Sequence, residues 1–465
     1  MIGRKLSRRD FLALAGVTTS ATVLAACAPA APAAKQESGK TEEPKAEVAK
    51  QEKVVVEFLG WPGDVQTPDE KAKFESEFPN FELKFVEQQE GVQLLALIAA
   101  GTAPDSARVE SNVYRTFAKD GALLDITDYI TADPLLGKPD YFIQPQETDR
   151  CAVDGKWYGI GSCWVAPHLY YNADVFAEAG IEPPSNDPEK AWSWEQFLEV
   201  AVKLTKDKDG NHPGEAGFDA NNVEMFGIDW PTWWIPLHAA IQSNEGAWID
   251  AKTSKIVLDS PQSTEAMQRI ADLKLVQQVA PLSTMLEQIG MTNTQMLENK
   301  RLAMAVDGSW ALAWMYEMKG TLGTAVLPKM ARPATDMQAH LHVIVKGTDT
   351  VDGGWAVVKF LSSPWFQERY LTKGLWLPNQ TALMTPEAIA RWCVKPVHPD
   401  GYDMIVTQYA PKYGHYLTMP VGYSKAADTV LNPALEQIWT GEVKAADAMA
   451  VVADANAVME EEASR

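Results

Sequence analysis

The stretch Val54-Val55-Val56-Glu57-Phe58-Leu59-Gly60-Trp61-Pro62-Gly63 decides the fold class. Its short apolar run, bounded by a Gly/Pro loop, reads as a parallel strand buried on both faces. Thr67-Pro68-Asp69-Glu70 follows, a capping box with proline in the first turn, which predicts a helix start. Residues 81–86 alternate into a second strand, residues 94–100 predict a helix closed by Gly101, and residues 105–109 are a third strand candidate. This alternation of strand and helix predicts an α/β fold with doubly wound, mostly parallel sheets flanked by helices.

Upstream lies Ser7-Arg8-Arg9-Asp10-Phe11-Leu12, an uncharged run from Phe11 to Ala26, and then Leu24-Ala25-Ala26-Cys27. A positive start, an apolar middle and small residues before a cysteine are the features of a secretory signal, and the run is short for a membrane span. The paired arginines resemble a twin-arginine export signal, and the small residues before Cys27 resemble a bacterial lipobox. Residues 1–26 are therefore expected to be a signal peptide and Cys27 the lipidated residue of the mature chain. Residues 27–53, rich in Ala, Pro, Lys and Glu, predict a disordered tether that lifts the folded part off the membrane.

At 465 residues the chain is long enough for two or three domains, and with 46% apolar residues it can bury a large core. Its formal charge is −21, and loss of residues 1–26 removes four basic residues and one acidic one to leave −24. So acidic a surface repels nucleic acid and anionic lipid, and no nucleic-acid partner is expected. Beyond Cys27 the cysteines are Cys151, Cys163 and Cys393, none with a partner at zinc-ligand spacing. They read as small buried hydrophobes, with one disulfide left open.

Farther along, Asp154-Gly155-Lys156-Trp157-Tyr158-Gly159-Ile160-Gly161 reads as a turn feeding a strand, and the chain runs on to Tyr171-Asn172. Ser193-Trp194-Glu195-Gln196 caps a helix, Ser260-Pro261 and Ser363-Pro364 start two more, and Asn432-Pro433 is expected to begin another that ends near Gly441. Five pieces then share an order with the extracellular solute-binding proteins of family 1, the receptors of carbohydrate importers. They are Ala100-Gly101-Thr102-Ala103-Pro104-Asp105, residues 121–130, residues 155–172, residues 299–310 and the turn Leu327-Pro328. The chain resembles that family over roughly residues 54–460.

The resemblance implies a two-lobe periplasmic-binding-protein fold of type II, with ligand held in the cleft between lobes. One lobe is expected over residues 54–162 with a return segment at 340–385, the other over 163–339 with the remainder 386–465. It further implies an extracytoplasmic protein, in the periplasm or on the outer cell surface, that captures a carbohydrate as a monomer and hands it to the transmembrane subunits of an ABC importer. No catalytic residue, cofactor or metal is expected. A receptor for peptides and a glycoside hydrolase are the competing readings. The hydrolase needs only two carboxylates across a cleft, and the chain has 62 acidic residues.

A sugar has apolar ring faces and a rim of hydroxyls, so its site needs aromatic plates and fixed polar groups. Of the 16 tryptophans, Trp61, Trp164, Trp233, Trp234, Trp310 and Trp376 fall in predicted loops and are candidate plates. Trp310 matches the aromatic that follows the Gly-rich turn in family members. Glu110, Asn112 and Asp307 are candidate polar contacts. Tyr171-Asn172 reads as positioning the crossover. Where the family carries a Gly-Gly pair, this chain has Ala339-His340-Leu341-His342, which makes His340 a candidate contact. The two histidines share a strand face but have no third ligand nearby, and Asp207-Lys208-Asp209-Gly210-Asn211 lacks the closing glutamate of a calcium loop, so it reads as a polar loop tip.

Overall fold

A computed structural model describes residues 52–464 apart from 62–66, 89–92 and 162. The predicted signal peptide, Cys27 and the tether as far as residue 51 lie outside the described residues. The strands, in chain order, are β1 (Val54–Gly60), β2 (Phe81–Glu87), β3 (Ser106–Val109), β4 (Ala152–Val153), β5 (Lys156–Trp157), β6 (Gly159–Ile160) and β7 (Pro167–Asn172). They continue with β8 (Lys206–Asp207), β9 (Val223–Asp229), β10 (Leu302–Gly308), β11 (Leu322–Ala325), β12 (Thr335–Asp336), β13 (Leu341–Ile344) and β14 (Gly414–His415).

Two five-stranded sheets form the centres of two lobes, one ordered β2-β1-β3-β13-β6 and the other β11-β7-β10-β9-β8. β1 runs parallel to β2 and β3, in keeping with the expectation, but β13 is antiparallel to both β3 and β6. In the second sheet only β9 and β10 are parallel, while β7, β11 and β8 run antiparallel to their neighbours. The expected mostly parallel sheets are therefore mixed. The reason is the crossing itself, since β6, β7 and β13 lie where the chain passes between sheets and enter against the run of the βα units.

Local chemistry accounts for several helix starts. Thr67 and Glu70 form the reciprocal capping box before helix Pro68–Glu77, and Ser193 with Gln196 does the same before Trp194–Leu204. Asn172 caps helix Ala173–Ala179 through Oδ1, while its Nδ2 donates to Leu297 O, so it fixes the end of β7 rather than the crossing segments. Asn432-Pro433 does begin the α-helix Asn432–Trp439, which stops just before Gly441 as expected, but it does not start from a loop. Helical backbone already runs from Tyr423, and the proline sits just after a π-turn at Ala427–Leu431, whose wider hydrogen-bond ring accommodates a residue without an N–H.

Three crossing segments lie side by side between the sheets, with Trp164 bridged to Leu377 and Val165 to Gln338. Beneath them is a buried polar knot. Glu147 takes two hydrogen bonds from Arg150 Nη2 at 2.7 and 2.8 Å, one from Trp164 Nε1 at 2.9 Å and one from Asn379 Nδ2 at 3.0 Å. Arg150 Nη1 donates to Cys163 O, and Asn379 Nδ2 donates also to Gly161 O. Gly161 is required here, because a Cβ would stand 1.6 Å from Arg150 Nη2. The C-terminal helices reach the first lobe, where Ser424 Oγ donates to Asn112 O and Lys119 Nζ to Ala463 O. Among the described residues no helix is long and apolar enough to cross a membrane.

Candidate functional site

The sheets point the ends of several strands at one place. Arg108 is near the end of β3, and Glu110 and Ser111 start helix Ser111–Lys119 just beyond it. From the second sheet, β9 runs out into a loop that leads to Trp234 and Ile235 at the start of helix Trp234–Ser243, and β10 into the short turn that carries Trp310. The crossing segments add Val165, Gln338, Ala339, His340, Leu375 and Trp376. Together these residues line a cavity of about 350 Å³. Its walls thus come from both sheets and from the crossings between them, where a binding cleft of this architecture belongs.

Each aromatic plate is held by something particular. Gly308 precedes Trp310, and a Cβ there would stand 2.2 Å from ring carbons of the indole, so glycine lets the ring fold back over the turn. Trp233, 41% exposed, tilts against Trp310 with ring centroids 5.9 Å apart and meets Trp234 edge-on at 6.3 Å. Across the cavity, Trp376 stacks on Tyr370 at 4.3 Å and 18°, and His340 stands 5.7 Å from it. Arg108 Nε donates to Glu110 Oε1 at 3.1 Å, while its guanidinium lies 5.8 Å from the Trp61 ring.

Burial, reinforced by the Arg108 charge, pushes His340 well below the ordinary histidine range and His342 down to about 3. Both rings are neutral at physiological pH. His342 is buried beside His340, ring centroids 5.0 Å apart, with its ring edge-on to Phe58 at 5.5 Å. No group of three or more His, Cys, Asp or Glu suited to a metal occurs among the described residues.

Of the ten expected contacts, Glu110, Trp234, Trp310, His340 and Trp376 line the cavity, Trp233 packs beside it and Trp61 touches its Arg108. Three are elsewhere. Trp164 is 1% exposed and its indole N–H is spent on Glu147, so it is a strut of the crossing rather than a plate. Asn112 accepts from Ser424 Oγ through its carbonyl and is not part of the lining. Asp307 accepts the Gly308 N–H at 2.7 Å as a turn residue. Burial first, with the Asp229 charge adding to it, raises its carboxyl to about 6 against that hydrogen bond.

Sequence reasoning missed Arg108, Ser111 and Gln338. A signal for the last was present, since Asp336, Gln338, His340 and His342 alternate with apolar residues at the period of a strand. The loop tip at Asp207 is filled by the chain itself, its carboxylate accepting from the N–H groups of Asp209, Asn211 and Asp219. These bonds outweigh burial and bring it to about pKa 2. A larger groove, of about 1150 Å³, belongs to the second lobe alone. Lys300 pairs with Glu178 and Lys206 with Glu224 along it, and its lining comes from the second sheet and the helices beside that sheet, so it lacks the two-sided walls of the cavity.

The profile of the family described as bacterial extracellular solute-binding protein matches residues 60–368. An arabinooligosaccharide-binding protein of Halalkalibacterium halodurans is 25% identical over 46% of this chain and 44% of its own length. A maltotriose-binding protein of Pyrococcus abyssi is 24% identical over 61% of this chain and 56% of its own. The chain spans about half the length of the curated relatives it matches. An ABC substrate-binding protein of Listeria monocytogenes, solved in complex with cycloalternan, superposes with a TM-score of 0.74 at 20% identity, over 89% of this chain and all of that one. A maltose-bound protein of T. maritima superposes at 0.67 and 18% identity, covering 86% and 98%. These likenesses establish the two-lobe fold.

Proposed function

Since the chain belongs to the family of bacterial extracellular solute-binding proteins, we propose that it captures a carbohydrate, mono- or oligosaccharide, and delivers it to a membrane ABC importer. The observation that carries this reading is the cavity. Trp234 and Trp310 reach it from one side and Trp376 from the other, with Glu110, Ser111, Gln338 and His340 between them. Aromatic faces against polar rims are what a sugar requires. The names of the relatives, an arabinooligosaccharide-binding protein and a maltotriose-binding protein, support the same class.

The mechanism is a population shift. Lobes at residues 54–162 with 340–385, and at 163–339 with 386–465, close on a ligand that touches both, and the importer reads the closed form. Cys27, lipidated after twin-arginine export and removal of residues 1–26, anchors the monomer outside the membrane, and residues 27–53 give it reach. Glu110 is the one carboxylate lining the cavity among the described residues, and it is paired with Arg108, whereas a glycosidase needs two.

Equilibrium dialysis of the protein against maltotriose and arabinotriose, followed by an assay for new reducing ends, tests this reading. Retention of one sugar, unchanged, is the expected result. New reducing ends would replace the receptor with an enzyme.

A further inference from the structure

Behind the cavity wall runs a chain of hydrogen bonds that ends on Ser111. Arg332 Nη2 donates to Gln242 Oε1 at 3.3 Å, Gln242 Nε2 meets His238 Nε2 at 3.2 Å, and His238 Nδ1 meets Asp336 Oδ2 at 2.5 Å. On the far side of Asp336, Gln338 Nε2 donates to Oδ1 at 2.7 Å, and Ser111 Oγ donates to Gln338 Oε1 at 2.8 Å. His238, Asp336 and Gln338 are at most 2% exposed and Ser111 is 6%. Gln338 and Ser111 line the cavity, whereas His238 and Asp336 do not.

The polarity of this chain is fixed by its chemistry. Arginine can only donate, so Gln242 turns its oxygen to Arg332 and its N–H to His238. His238 Nε2 must then accept, which leaves the proton on Nδ1. A carboxylate can only accept, so Asp336 takes that N–H on one oxygen and the Gln338 amide N–H on the other. Gln338 therefore turns its oxygen toward Ser111, whose one proton goes there. The Ser111 oxygen is left with lone pairs alone.

We propose that His238 and Asp336 are positioning residues that lock Gln338 and Ser111 in one polarity, so that the Ser111 corner of the cavity accepts a hydrogen bond and selects a ligand hydroxyl or N–H there. This rests on the reading of the cavity as the ligand site. The chain also ties the helix Trp234–Ser243, beside the second sheet, to the helix Ser111–Lys119, beside the first, through the crossing segment, so the lock spans the hinge.

Two measurements test it. In protein labelled with ¹⁵N-histidine, the His238 signals are identified by their loss in His238→Gln. In the neutral ring they are expected to show a protonated Nδ1 and a bare Nε2. A neutral ring with its proton on Nε2 would overturn the proposal, and this needs no ligand. In the second, affinity is read by tryptophan fluorescence with maltotriose and arabinotriose as probes. Asp336→Asn is expected to weaken the sugar that binds about tenfold in the native background and less than about twofold in Ser111→Ala, because the serine is where the effect is delivered. Equal losses in the two backgrounds would mean general loosening and would also overturn it. Failure of both sugars to bind the native protein would count against the carbohydrate reading, with the tautomer still deciding the lock.

Discussion

Trp310 and Trp164 were equal candidates on residue type, and their surroundings give them different work. Trp310 lies against the cavity over a glycine, so Trp310→Ala removes a plate and should weaken sugar binding by at least about 1 kcal/mol, roughly fivefold, in a calorimetric titration with little change in unfolding. Trp164→Phe should do the reverse. It leaves Glu147 one donor short in a dry site, and should cost about 1–3 kcal/mol of stability while affinity holds. Asp307 gives a prediction in pH. Its carboxyl sits near 6 in the folded protein, above the value of 3.8 for a free side chain, so the folded state holds the extra proton between those values. Its contribution to stability is full below about pH 4 and is lost as pH rises through about 6. Asp307→Asn keeps an acceptor for the Gly308 N–H, so denaturant midpoints should show it more stable at neutral pH, by up to about 2 kcal/mol given its partial exposure, and equal to the native protein in acid.

Among the elements, the crossing segments carry the most unusual chemistry, a buried arginine whose carboxylate partner also holds Trp164 and Asn379. Glu147→Gln would leave Arg150 charged and short of its counter-ion, and urea unfolding should show a loss of about 3–5 kcal/mol. Glu147 and Arg150 are a local i,i+3 pair on the helix Gln146–Cys151, but the knot they anchor is invisible in sequence, because Trp164, Cys163 and Asn379 join it at spacings set only by the fold. The strands and caps were legible for the opposite reason. Thr67 with Glu70, Ser193 with Gln196, and the run of β1 are local devices that act within a few residues. Strand direction in β13 and β7 was not, since it depends on which lobe the chain is leaving. Nor was the π-turn before Pro433, which joins the expected helix to helical backbone upstream of it.

For the whole molecule, the two sheets, the crossings and the aromatic cavity form one receptor architecture, and its family was readable from motifs spread from Gly101 to Pro328. The cavity was read in half. Tryptophans after strand ends stood out by rarity, while Arg108, Ser111 and Gln338 are ordinary polar residues that only the meeting of β3 with the return segment brings together. The account stands most directly on thermal unfolding of the protein against mono-, di- and oligosaccharides, with amino acids and short peptides as controls. A ligand that binds the folded state alone should raise stability by about 2.7 kcal/mol at a hundredfold excess over Kd. A rise in Tm with one sugar class and none with peptides is the predicted result. A rise with peptides and with no sugar would contradict it.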